Sequence, residues 1–177
     1  GDDNDIVVYY GGNDALLHAV RGGQVANGGE EVWAFVAPDF FGKLKRLSEN
    51  TPKISTTEPR PYFFDGMMTA WYRDVNNDGV LSAGDGDKVY LFASARRGGR
   101  LLYAFDVSDP DAPRVMWRRG CPNATGSSGC DTGYGELGQT WSQPQAAKVR
   151  YTASPVIFMG AGYDPAANDA LPQAAAT

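Results

Sequence analysis

The chain has 177 residues, enough for one domain with a sizeable core and too few for two comfortable ones. Glycine is the outlier: 22 copies are about 12% of the chain, against a usual figure of roughly 7%. With 11 prolines added, helix breakers are too dense for a helical bundle or coiled coil, and no apolar run approaches the roughly 20 residues that cross a bilayer. The net charge of −5 is opposite to that of a protein that wraps nucleic acid, so nucleic acid is not an expected partner.

In chain order, short β-branched and aromatic runs bounded by Gly, Asn and Asp predict strands. They fall at Ile6 to Tyr10, Leu16 to Val20, Glu31 to Val36, Tyr62 to Phe64 and Met67 to Arg73. Val89 to Ala95, Leu101 to Val107, Val115 to Arg118 and Pro155 to Met159 follow. One segment has helical spacing. From Pro38, apolar residues recur at Phe40, Phe41, Leu44 and Leu47, which predicts one short helix over 39–48 that lies on the strands as a packing element. Residues 49–61 read as a Ser/Thr/Pro-rich loop and 120–145 as a long Gly-rich excursion.

The strands repeat. Val7-Val8-Tyr9-Tyr10-Gly11 and Val89-Tyr90-Leu91-Phe92-Ala93 each precede an apolar strand and then a strand with a tryptophan, Trp33 or Trp117. Val156-Ile157-Phe158-Met159-Gly160 opens the unit again. A strand repeat of about 70 to 80 residues is how propellers are built. The expected fold is therefore mainly β, a partial β-propeller of antiparallel four-stranded blades, forming a single domain over 1–177. The acidic start at Gly1 and the Ala/Pro-rich tail from Asp164 read as a piece of a longer protein with no signal peptide of its own.

Asp74-Val75-Asn76-Asn77-Asp78-Gly79-Val80-Leu81-Ser82-Ala83-Gly84-Asp85 is the strongest local signal. Oxygen side chains stand at positions 1, 3 and 5 of a 12-residue loop, with glycine at 6 where the chain must turn. Val80 offers its carbonyl at 7, Leu81 is a hydrophobic anchor at 8, Ser82 stands at 9 and Asp85 at 12. Calcium takes six to eight hard oxygens, so the expected cofactor is Ca2+ on Asp74, Asn76, Asp78, Val80, Ser82 and Asp85. Asp87 is placed to supplement or replace Asp85. The flanks read as strands, so the loop is an inserted β-connector and not a helix-loop-helix sensor. The bland alternative is an Asx-rich turn with no metal.

Cys121 and Cys130 bracket a polar Gly-rich connector with no CxxC spacing. A loop-closing disulfide and an oxidising compartment are the favoured reading, and two unrelated buried thiols the alternative. Such a ten-residue loop is worth roughly 2.7 kcal/mol by chain entropy.

Other chemistry finds little support. His18 is the single histidine. No GxSxG or other nucleophile elbow accompanies it, so it reads as a core or edge histidine. The glycine pairs form no phosphate loop. Arg96, Arg97 and Arg100 form a small basic knot. The tryptophans Trp33, Trp71, Trp117 and Trp141 read as inter-blade packing rather than a ligand cage. Asp2-Asp3-Asn4-Asp5 reads as a solvated terminus or the end of a second such turn. Asn123-Ala124-Thr125 is a glycosylation sequon in form only.

Taken together, Val7 to Ala19, Gly28-Gly29-Glu30-Glu31-Val32-Trp33-Ala34-Phe35-Val36 with Pro38 and its helix, Tyr62-Phe63-Phe64-Asp65-Gly66, and Gly98 to Pro110 resemble the C-terminal propeller of the PilY-type type IV pilus tip and biogenesis adhesins. That resemblance implies a modified propeller without enzymatic activity, exported to the periplasm and cell surface at the pilus tip or outer membrane. It further implies roles in pilus biogenesis, twitching motility and attachment, with minor pilins and host or surface receptors as partners. It also implies calcium dependence, although the family's described calcium loop is shorter and nearer the C-terminus than 74–85. The individual repeats also look like quinoprotein propeller repeats, so a dehydrogenase fragment is a competing reading, and a carbohydrate-binding surface module is another.

Overall fold

The computed structural model describes residues 6–123, 126–164 and 168. The acidic cluster at 2–5 and two residues of the Asn123 sequon, 124 and 125, lie outside the described residues.

Three antiparallel sheets form in chain order. The first joins β1 (Val7–Gly11), β2 (Leu16–Arg21) and β3 (Glu31–Val36). The second joins β4 (Met68–Arg73), β5 (Lys88–Ser94), β6 (Arg100–Asp106) and β7 (Arg114–Cys121). The third is a pair, β8 (Gln145–Ala147) and β9 (Val156–Phe158). The repeat read from the sequence is present, since β1–β2–β3 and β5–β6–β7 follow the same order. Only the second sheet has four strands among the described residues, and the sheets do not close into a ring, so the fold is a partial propeller.

Alternation decides which faces pack. In the first sheet Tyr9, Ala19 and Trp33 are cross-strand neighbours, as are Leu17 and Phe35. Of these, Tyr9, Leu17, Trp33 and Phe35 join Leu91, Ala93, Leu101, Tyr103 and Phe105 of the second sheet in one core. Phe35 is the hinge of that contact, edge-on to Phe105 at 5.1 Å and to Tyr103 at 5.7 Å. Edge-to-face rings add about 0.5–1.5 kcal/mol per pair to their burial. Strand β6 is covered on both faces and is buried from Arg100 to Phe105.

The helix α1 (Phe41–Glu49) follows a 3-10 turn at Pro38–Phe40. Phe40 is buried and edge-on to Phe63 and Phe64, and Leu44 and Leu47 pack on the core. Phe41 departs from the expected stripe and is 56% exposed. Phe40, one position earlier, already fills the space under the helix start. Lys43 fastens the helix, donating to Tyr62 O at 3.3 Å and Gly98 O at 2.8 Å.

Two segments differ from the sequence expectation. Tyr62 to Phe64 is not a strand. Phe63 and Phe64 are consecutive and both buried, which a period-2 strand with one covered face cannot arrange. Strand β8 lies inside the segment expected as a loop, because Gln-Ala-Ala has little β preference; its pairing with β9 creates it.

Candidate functional site

The 74–87 loop closes the β4–β5 hairpin, whose last pair is Arg73 opposite Lys88. Its first turn is built by its own side chains. Asp74 accepts from Asn77 N at 2.6 Å and Gly79 N at 2.9 Å. Asn76 accepts from Asp78 N at 3.2 Å and donates its amide to Asp78 at 2.9 Å. Asp78 also accepts from Val80 N at 2.8 Å. Gly79 sits at φ +80° and Asn77 at +57°, the left-handed region that glycine and asparagine tolerate. The sequence placed a glycine where this reversal requires one.

The structure brings Asp74, Asn76 and Asp78 into one turn. Ser82 precedes, and Asp85 ends, a 3-10 turn at Ala83–Asp85. Among the described residues, no three His, Cys, Asp or Glu side chains gather closely enough to hold a metal ion. Leu81 is 42% exposed and does not anchor the loop in the core. Asp87 does that work. It is buried and accepts from Val75 N at 2.8 Å and Ser82 N at 3.0 Å, pinning both ends of the loop together. Those amides hold its carboxyl below the ordinary carboxylate value.

The Gly-rich excursion is organised by three fasteners. Cys121 and Cys130 form a disulfide. Arg100 is buried and donates to the carbonyls of Gly126, Leu137 and Gly135 at 2.5, 2.5 and 2.6 Å. Thr140 is buried at the turn end of the β5–β6 hairpin. Its hydroxyl accepts from Ala95 N and Arg96 N and donates to Leu101 O.

The three arginines read as one basic knot therefore separate. Arg100 is internal, Arg97 pairs with Asp65 and stacks on Tyr62 at 4.0 Å, and Arg96 lies over Trp141 at 4.3 Å. Three tryptophans also lie in packed ring contacts, Trp33 with Tyr9 and Phe105, Trp71 with Tyr90, and Trp117 with Phe92. Trp141 is 41% exposed.

A second polar cluster carries no sequence motif. Asp39 accepts from Tyr103 Oη at 2.5 Å and from Arg118 at 2.7 Å, and Arg118 also pairs with Asp131 at 3.0 Å. It ties the turn before α1, the second sheet and the excursion together. Burial alone would raise the Asp39 pKa, but the hydrogen bonds from Arg118 and Tyr103 outweigh it and hold the carboxyl below its ordinary value. Only side chains distant in sequence meet here, so no local motif marks the cluster.

A family model described as PilY1 beta-propeller domain matches residues 3–175. The chain belongs to this PilY1 β-propeller family. It is 31% identical over 143 residues to the type IV pilus biogenesis factor PilY1 homolog of Xylella fastidiosa, covering 81% of this chain and 10% of that protein. It is 28% identical over 169 residues to the type IV pilus biogenesis factor PilY1 of Pseudomonas aeruginosa strain UCBPP-PA14, covering 88% of this chain and 11% of that one. The chain thus spans about a tenth of the length of these curated relatives. Its fold is similar to the crystal structure of the Pseudomonas aeruginosa PilY1 C-terminal domain, with a TM-score of 0.55 at 23% identity, over 89% of this chain and 25% of that one. Among the described residues of this PilY1-family chain, no helix is long and apolar enough to cross a membrane.

Proposed function

We propose that the chain is a non-enzymatic, calcium-binding propeller piece of a surface-exposed type IV pilus assembly and adhesion factor. In this reading it works in the periplasm or at the cell surface, contacts pilus components and surface receptors, and supports pilus biogenesis, twitching motility and attachment. The observation that carries the pilus reading is the family match over 3–175, with relatives named as pilus biogenesis factors.

The donor chemistry of 74–85 carries the calcium reading. All six candidate groups are hard oxygens: the Asp74, Asp78 and Asp85 carboxylates, the Asn76 amide, the Val80 carbonyl and the Ser82 hydroxyl. Each carboxylate oxygen has more than one lone pair, so accepting from a loop amide leaves capacity for an ion. The turn over 74–80 is already bent at Gly79, and Asp87 clamps the two ends. Closing Asp85 onto that turn would complete the oxygen set. The three carboxylates repel one another less once a divalent cation sits between them.

Ion binding to the folded chain alone stabilises by mass action, by about 2.7 kcal/mol at a hundredfold excess over Kd. The test is a thermal melt in EGTA and in millimolar calcium. The expected result is a higher Tm with calcium and no calcium response in Asp74→Ala. Superimposable wild-type curves would remove calcium from the reading and leave the pilus assignment standing.

A further inference from the structure

The chain has a single histidine, and both nitrogens of its ring face carboxylates. His18 Nδ1 lies 2.6 Å from Glu31 Oε2 on β3. Nε2 lies 2.8 Å from Asp14 Oδ2 in the β1–β2 turn. An ionised carboxylate only accepts, and a neutral imidazole carries one N–H. Both contacts are hydrogen bonds at once only when the ring is an imidazolium. The titratable groups on the ring are Asp14 from the turn, Glu31 from β3, and Tyr10 from β1, which stacks on it at 4.8 Å. Among the described residues neither carboxylate pairs with a lysine or arginine, so His18 is the shared cation of both.

The turn held by Asp14 is strained. Ala15 is buried at φ +83°, a conformation that costs a residue with a Cβ about 1–2 kcal/mol. Asp14 also accepts from Leu16 N at 3.1 Å, and Gly12 N donates to Leu16 O at 2.9 Å. The carboxylate that braces the strained residue is therefore the one that His18 holds.

We propose that Asp14, His18 and Glu31 form a proton-dependent latch, which locks the β1–β2 turn to β3 while His18 is charged and frees the turn when His18 loses its proton. Burial alone would push the ring's pKa down, but the bonds to Glu31 and Asp14 outweigh it and hold the imidazole above its ordinary value of 6.5. A raised folded pKa contributes stability that is complete below the unfolded value and disappears as pH rises through the folded one. The latch is closed in mildly acidic solution and opens toward alkaline pH.

With one histidine, the ring signals in 15N-resolved NMR need no assignment, and amide exchange reads the turn. At pH 6 the ring is expected to carry both N–H protons, with a midpoint above that of the same chain unfolded in urea. As pH rises through that midpoint, exchange at Leu16, corrected for its intrinsic rate, should speed up. The gain is about tenfold for each pH unit by which the folded midpoint exceeds the unfolded one. Glu31→Gln should lower the midpoint, and His18→Gln should make the exchange flat with pH. A wild-type ring titrating at or below the unfolded value, or Leu16 exchange unchanged through the titration, overturns the latch without recourse to any variant.

Discussion

Replacing Arg100 by methionine keeps the aliphatic stem and removes the guanidinium that feeds the carbonyls of Gly126, Gly135 and Leu137. Gly135 and Leu137 are half-buried and Gly126 is exposed, so the two shielded carbonyls cost about 1–3 kcal/mol each on losing their donor and the third much less. Against that sum stands the relief of no longer burying a charge, several kcal/mol per ion. The net expectation is a loss of about 2 kcal/mol, on the order of 4–8 °C in Tm for a chain of this size. Lysine retains the charge but is a point donor without the planar fork, so Arg100→Lys should lose nearly as much as Arg100→Met. The assay is urea unfolding followed by tryptophan fluorescence with the disulfide intact, alongside limited proteolysis of the excursion. Cleavage between Pro122 and Gln139 should precede global unfolding in both variants. A wild-type midpoint with an equally protected excursion in Arg100→Met would refute the claim that this side chain organises the loop.

Three further substitutions probe the glycine positions and the polar cluster. A Cβ at Gly98 would stand 1.7 Å from Phe63 O, so Gly98→Ala should cost 3 kcal/mol or more, roughly the scale of a forced core rearrangement. Gly42→Ala, in α1 with nothing within 4 Å, should instead gain about 0.5–1 kcal/mol; chemical denaturation of both separates sterics from composition. Asp39→Asn should cost about 1.5–3 kcal/mol at neutral pH, the worth of a hydrogen bond to a charged group. Because the Asp39 pKa is depressed, its contribution is complete above its ordinary value of 3.8 and is lost as pH falls through the folded value. The wild-type advantage over Asp39→Asn should therefore shrink in acid, and a pH-independent gap in denaturation midpoints would contradict it.

Most of this architecture was readable from the residues because it rests on local rules. Glu31 to Val36, with its Trp33 and Phe35 on one face, is a strand in the sequence and in space. The Asp74 turn was legible for the same reason, since Asx residues at alternate positions and a glycine at the reversal act within a few bonds. The sequence did not show what long-range packing decides. Two adjacent phenylalanines at 63 and 64 favour a strand locally, yet both are buried where no neighbouring strand pairs with them. Arg100 reads as a surface charge until the excursion folds over it. Leu81 matched an anchoring position in the loop pattern, but it is Asp87, two places past the pattern, that holds the ends. His18 could be placed in an apolar strand, whereas its two carboxylates come from different neighbours and carry no spacing signature.

Thr140 has a consequence for the order in which the chain can mature. At the turn of the β5–β6 hairpin, Ala95 N is shared between Leu101 O and the Thr140 hydroxyl, and Arg96 N donates to that same hydroxyl, which lies some forty residues downstream. During synthesis, this blade stays unfinished at its turn until the excursion has emerged and settled. A truncation just before residue 140 would thus leave an otherwise complete four-stranded sheet with a frayed, water-seeking corner.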